Sequence, residues 1–295
     1  MDGVLVVDKP AGITSHGVVG VVRKAAGQKK VGHAGTLDPD ATGVLVVCLG
    51  RATRLVPYIQ ASKKTYEGRI RLGATTTTLD AAGDVVDTWD ASGVGEPAVA
   101  EALASFVGDI EQVPPMVSAV KIGGERLHAK ARRGEVVERP PRPVTIFSAE
   151  LSGFDAGPPV EAGFTVTCSP GTYIRTLAAD VGEQLGVGGH LASLRRTRSG
   201  QFDVTEGVSL DTVRELGAEG GLEDALMPPG AAVSEYPRRE LTVAEARALG
   251  YGQKLDATGH DGPVAAVTAD GTLVAMIVDV GSMARSEAVF APAGG

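Results

Sequence analysis

The stretch Val31-Gly32-His33-Ala34-Gly35-Thr36-Leu37-Asp38-Pro39-Asp40-Ala41-Thr42-Gly43 gathers one imidazole and two carboxylates among small, turn-forming neighbours. A carboxylate in such a loop can serve as a nucleophile, a general base or an electrostatic stabiliser of a developing cation. Asp38-Pro39 also reads as an ordinary turn start, with the aspartate capping backbone amides, and the residues alone leave both readings open. Other chemistries lack their hooks. The five histidines (His16, His33, His128, His190, His260) never pair at helical ligand spacing, and neither Cys-x-x-Cys nor His-Glu-x-x-His occurs. No metal centre is therefore expected. Gly-x-x-x-x-Gly-Lys, a strand-following Gly-x-Gly-x-x-Gly and Gly-x-Ser-x-Gly are also absent. That removes the usual signatures of nucleotide hydrolysis, hydride transfer and elbow-serine hydrolysis.

The elements that must position the loop follow from periodicity and punctuation. A short apolar strand at 4–7 stops at the turn Asp8-Lys9-Pro10-Ala11-Gly12, after which Ser15 is placed to cap a helix reaching about Ala26. Gly27-Gln28-Lys29-Lys30 ends that helix, and an apolar strand at 44–49 follows the loop. Residues 65–72 alternate as a strand, 96–106 read as a helix, and strand-like runs recur at 117–122, 144–151 and 160–168. After Ser169-Pro170-Gly171, the residues Ile174, Leu177, Ala178, Val181 and Leu185 mark one face of a helix to about Gly186. The irregular alternation of strands and helices suits an α+β fold better than a regular βαβ series. Met227-Pro228-Pro229-Gly230 is the clearest boundary, predicting a main domain over 1–229 and a small β-rich one over 230–295. In the tail, Thr242 caps a helix over 243–249 and strands are expected at 264–268, 273–279 and 287–290.

A net charge of −8 argues, as an average, against a polyanionic partner, yet the charge is segregated. Residues 72–112 hold eight acidic and no basic side chains, whereas 51–71 hold six basic ones against Glu67 alone. Residues 121–142 add seven basic against three acidic, and Arg195, Arg196 and Arg198 form a further cluster. Three basic segments can build a phosphate-binding surface or merely solvate a face. Cys48 and Cys168 each lie in an apolar run and read as buried thiols. No apolar stretch approaches the roughly 20 residues that span a bilayer, so a cytoplasmic protein without membrane contact is expected.

The loop from Gly32 to Gly43, taken with Asp8-Lys9-Pro10, Gly12 and Ser15, resembles the catalytic loop and opening motif of the TruB family of tRNA pseudouridine synthases. Lys64-Thr65-Tyr66 resembles that family's tyrosine-bearing strand, Ser169-Pro170-Gly171-Thr172-Tyr173-Ile174-Arg175-Thr176-Leu177 its helix-start motif, and Leu194-Arg195-Arg196-Thr197 a later pocket strand. The five ordered motifs cover about residues 3–230. The resemblance implies the pseudouridine synthase fold: a mixed, mainly antiparallel central sheet with flanking helices and loops, followed by a PUA-like C-terminal domain. It implies isomerisation of uridine 55 in the tRNA T loop, without cofactor, by a bacterial-type enzyme.

Asp38 then matches the nucleophile, since glycosidic cleavage develops positive character at the sugar and a carboxylate can add to it or stabilise it. Arg175 matches the guanidinium that keeps such a carboxylate ionised, although the position alone also suits a surface helix residue. Tyr66 matches the ring that packs on the flipped base and handles its proton, where an isolated strand tyrosine would be a core-edge residue. Tyr173 and Leu194 match base-contacting positions, and His33 one that props the RNA loop open. Asp80 matches an acidic position near bound RNA, but Thr77 stands where a second acidic residue is frequent in the family. Lys9 belongs to the opening motif and is counted with the substrate-binding residues. Arg132 and Arg133, in a segment resembling an RNA-closing insertion, are placed to meet phosphates. The implied partner is the tRNA T stem-loop, met by a monomer needing neither guide RNA nor protein partner. A guide-RNA-dependent relative and a non-catalytic tRNA-folding chaperone are the competing readings.

Overall fold

In the computed structural model, which describes residues 1–117, 121–122, 125–126, 133 and 137–290, the chain falls into two compact units. One joins residues 1–62 to 198–295, and the other comprises 63–197. The boundary expected near 229 lies within the first of these.

In the first unit, strand Gly3–Lys9 runs antiparallel to Thr42–Leu49, from Gly3 opposite Leu49 to Lys9 opposite Gly43. The short strand Val31–His33 pairs with the same partner. Side chains alternate across a strand, so Leu5, Val7, Leu45, Val47 and Leu49 pack on one face with Val18, Val19 and Val22 of helix Ser15–Ala25 and with Leu210 and Val213. Val4, Val6, Val44, Val46 and Cys48 pack on the opposite face with Ala265, Val267, Met276 and Phe290. Burial on both faces explains why 44–49 is apolar without alternation. Thr14 caps the first helix, its hydroxyl accepting from the Gly17 amide at 2.9 Å; the expected cap, Ser15, is used elsewhere. Helix Leu210–Glu219, absent from the sequence reading, is capped by Ser209 and closed by Gly220 in the left-handed region at φ 79°. The tail forms a five-stranded sheet in the order Arg238–Glu240, Val264–Val267, Leu273–Val280, Met283–Val289, Leu255–Asp256, with helix Val243–Gly250 capped by Thr242 and Glu245.

In the second unit the strand order is Gly189–Ser199, Lys64–Leu72, Glu161–Cys168, Arg142–Asp155, Gly108–Gln112. The last three pairings in that order are antiparallel. Helices Glu96–Ser105 and Ile174–Gln184 supply Val99, Leu103, Leu177 and Val181 to a core shared with Ile70, Ile146, Phe164 and Val166. Gly68 makes room for this packing: a Cβ there would lie 2.6 Å from the Phe164 ring. The strand expected over 144–151 extends to Arg142–Asp155. Of the run expected at 117–122, Lys121–Ile122 pairs with Glu125–Arg126, while 118–120 lie outside the described residues. The fold is thus α+β, with mainly antiparallel sheet, flanking helices and a β-rich C-terminal domain, as the resemblance implied. Among the described residues, no helix is long and apolar enough to cross a membrane.

Candidate active site

The Asp38 loop is fastened on both sides of the carboxylate. Ser15, 2% exposed, donates to the Leu37 carbonyl at 3.0 Å and accepts from the Leu37 amide at 2.8 Å, so one hydroxyl fixes the residue before Asp38. After it, Pro39 accepts from the Gly12 amide at 3.0 Å and from Lys9 Nζ at 2.8 Å. The same ammonium donates to Ala41 at 2.6 Å and to Pro10 at 2.9 Å. Gly12 reaches Pro39 from φ +82°, a conformation that favours glycine. Lys9 was expected among the substrate-binding residues, but it is 0% exposed and offers a ligand no surface. Its position suits fixing the loop instead. Asp38 itself is partly exposed, Asp40 is exposed, and His33 is half-buried on its strand opposite Val47.

In the second unit, Tyr66 sits opposite Val166 and packs, half-buried, against the same core as Leu194. Arg175 enters from the helix start and is 5% exposed. Its guanidinium donates to the Thr78 carbonyl at 3.1 Å and the Val117 carbonyl at 2.8 Å, and pairs with Asp80 at 3.4 Å. Asp80 also accepts from the Thr78 hydroxyl and from the Ala82 amide at 3.1 Å. Leu79, between Thr78 and Asp80, adopts φ +63°, unusual for a residue with a branched side chain. Its carbonyl accepts from the Leu191 amide at 3.0 Å and the Ala81 amide donates to the Leu191 carbonyl at 2.9 Å, which hold the strained turn in place. The acidic loop is thus tied to Arg175, a link sequence reading missed because it spans distant segments. Tyr173 is half-buried immediately before the helix, and the Gln112 side-chain amide meets its backbone on both sides.

The basic segments are less available than their composition implies. Arg51 pairs with Asp2 at 2.7 Å, Arg69 and Arg71 pair with Glu161 at 3.2 and 2.7 Å, and Arg198 pairs with Asp203 at 3.3 Å. Arg196, counted in the third cluster, is buried. Arg133 is exposed, whereas Arg132 lies outside the described residues. Both cysteines are free, buried thiols; burial pushes Cys48 up to about 12 and Cys168 up to about 11, the latter opposed by a hydrogen bond with Thr172 and the charges of Lys64 and Arg196. Among the described residues, no cluster of three or more His, Cys, Asp or Glu side chains is arranged to hold a metal.

Three family models cover most of the chain. The TruB family pseudouridylate synthase N-terminal domain matches residues 23–174, the tRNA pseudouridylate synthase B C-terminal domain 175–234, and the tRNA pseudouridine synthase II C-terminal model 236–291. A protein named tRNA pseudouridine synthase B from Thermobifida fusca is 47% identical, over 98% of this chain and 99% of its own. One of the same name from Mycobacterium sp. (strain KMS) is also 47% identical, over 99% of this chain and 97% of its own. A chain of the solved "Crystal Structure of a Cbf5-Nop10-Gar1 Complex" aligns at a TM-score of 0.77 and 29% identity, covering 99% of this chain and 85% of that one. This chain belongs to the TruB family of pseudouridylate synthases.

Proposed function

We propose that this protein converts uridine 55 in the T loop of tRNA to pseudouridine, with Asp38 as the catalytic carboxylate. The observation that carries the reading is the loop itself: the family's motif, with Asp38 set between a residue held by Ser15 and one held by Gly12 and Lys9. Cleavage of the N1–C1′ bond leaves electron deficiency on the ribose, which an ionised carboxylate meets by addition or by charge. The freed base turns, C5 bonds to C1′, the C5 proton departs and N1 ends protonated. The sequence is redox-neutral and needs no cofactor.

Tyr66 is assigned to stacking on the extruded base and to its proton, replacing stacking lost from the T loop. Tyr173 and Leu194 line the base, His33 supports the opened RNA loop, and Arg133 with Arg132 contacts phosphates. Arg175 supplies positive charge for the carboxylate chemistry, with Asp80 as its anchor. Lys9 is a positioning residue for the Asp38 loop. The enzyme acts in the cytoplasm, as a monomer, on tRNA alone. A guide-dependent reading draws on the Cbf5-Nop10-Gar1 likeness, but full-length identity of 47% to proteins named tRNA pseudouridine synthase B favours autonomous action.

The test is release of C5 tritium from uridine-labelled tRNA by the purified protein under single-turnover conditions. Asp38→Asn keeps size and loses charge, and should slow release by several orders of magnitude while tRNA still binds. Asp40→Asn should remain active. Near-normal release from Asp38→Asn, selective loss in Asp40→Asn, or a requirement for added RNA or protein would overturn the reading.

A further inference from the structure

Gln112 ends the edge strand Gly108–Gln112 and is 2% exposed, an uncommon place for an uncharged polar side chain without a task. Its Oε1 accepts from the Tyr173 amide at 2.9 Å and its Nε2 donates to the Tyr173 carbonyl at 3.3 Å. A primary amide thereby pairs with a single residue's backbone as a neighbouring strand would. The setting gives the pair a purpose. Helix Ile174–Gln184 starts without a side-chain cap, and Tyr173 occupies the capping position in extended conformation. The turn before it is fixed at its other end, where Ser169 exchanges hydrogen bonds with Thr145 at 2.8 and 2.9 Å. Between these ends Gly171 turns the chain at φ +87°. The Leu177 amide donates to the Tyr173 carbonyl at 3.1 Å as the first bond of the helix, so without Gln112 the Tyr173 amide would lose its partner and that helical bond alone would hold the residue at this end of the turn.

We propose that Gln112 is a positioning residue for the reaction: it fixes the Tyr173 backbone, and hence the ring that lines the base. This rests on the assignment of Tyr173 to the base made above. The donor and acceptor must sit side by side at the right reach. Asparagine is one methylene too short, and an ionised glutamate accepts from the amide but opposes a second oxygen to the Tyr173 carbonyl. A protonated glutamate restores one donor and one acceptor.

The experiment measures single-turnover isomerisation at saturating tRNA, with tRNA affinity and thermal melting alongside. Gln112→Ala should slow the step about 10- to 100-fold, the size of two modest hydrogen bonds, while Kd changes less than about threefold. Combined with Tyr173→Ala, it should add no further loss, because both changes disable the same ring. Gln112→Glu should recover relative to wild type as pH falls and the carboxyl takes up its proton. A role confined to stability would lower melting without that pH-dependent recovery. A normal rate in Gln112→Ala beside a slow Tyr173→Ala, multiplicative losses in the double variant, or a pH-flat ratio for Gln112→Glu would each overturn the proposal. Full activity in Tyr173→Ala would instead remove the assignment of Tyr173 and the proposal with it. Should Gln112→Ala not fold, the pH ratio of the near-isosteric glutamate variant decides.

Discussion

Two adjacent hydroxyls, Thr14 and Ser15, separate what a helix cap contributes from what a loop anchor contributes. Thr14→Ala removes one exposed bond at 2.9 Å from the Gly17 amide, and such caps are worth about 1 kcal/mol. Ser15→Ala removes two buried bonds, 3.0 and 2.8 Å, to the carbonyl and amide of Leu37. Each carries about 1 kcal/mol net, and the stranded groups add a desolvation cost because Leu37 is buried, giving roughly 2–4 kcal/mol in all. The kinetic consequence is of comparable size. Leu37 precedes the carboxylate, and a misplacement of about 1 Å is enough for a loss on the order of 100-fold. Urea unfolding and single-turnover tritium release on both variants give the comparison. Thr14→Ala should stay within about twofold of wild-type rate, with Ser15→Ala slower by about two orders of magnitude. Equal effects of the two substitutions on rate and stability would refute the argument that Ser15 anchors the catalytic loop.

Lys9→Met strips three carbonyls of a charge-assisted donor, partly offset by relief of a buried ammonium; a loss of about 3 kcal/mol in urea unfolding is expected. Burial, reinforced by the charge of Glu183, raises the Asp180 carboxyl to about 6. Because the folded state holds that proton more tightly than the unfolded chain, stability falls as pH rises from about 4 through about 6. Asp180→Asn should therefore gain roughly 1–2 kcal/mol over wild type near pH 8 and nothing near pH 4, by melts across that range. Affinity for tRNA should fall steeply between low and moderate salt, with a shallower slope when Arg132 and Arg133 are both neutralised, read by filter binding. Deleting residues 231–295 removes Ala265, Met276 and Phe290 from the core packed on Val4, Val46 and Cys48, so loss of cooperative unfolding in calorimetry is expected.

Much of this was legible in the chain because local chemistry decides it. Small residues around Asp38 require a loop, and Gly12 and Ser15 belong to the motif that turned out to hold it. The strands at 64–72 and 161–168 and the helix at 174–184 follow periodicity. What escaped was relational. Thr14 and Ser15 both have capping chemistry, and nothing local says that one faces Leu37. Gln112 carries no pattern, since its partner lies on a distant turn. Arg196 looked like surface charge because a run of arginines does not reveal which one points inward. Helix Leu210–Glu219 did carry its signals, Ser209 and Gly220, at either end of a weakly patterned segment.

The face of strand Gly3–Lys9 that carries Val4 and Val6 is covered by residues near the other end of the chain, among them Met276 and Phe290. During synthesis this strand leaves the ribosome well before residues 265–290 and lacks that cover until they follow. Residues 63–197 are continuous and meet their own core partners much earlier. The contrast sets an order of assembly: the inserted unit can consolidate during elongation, while the discontinuous one must wait for its last strands. In that interval the uncovered apolar face of strand Gly3–Lys9 is open to aggregation and to chaperone capture.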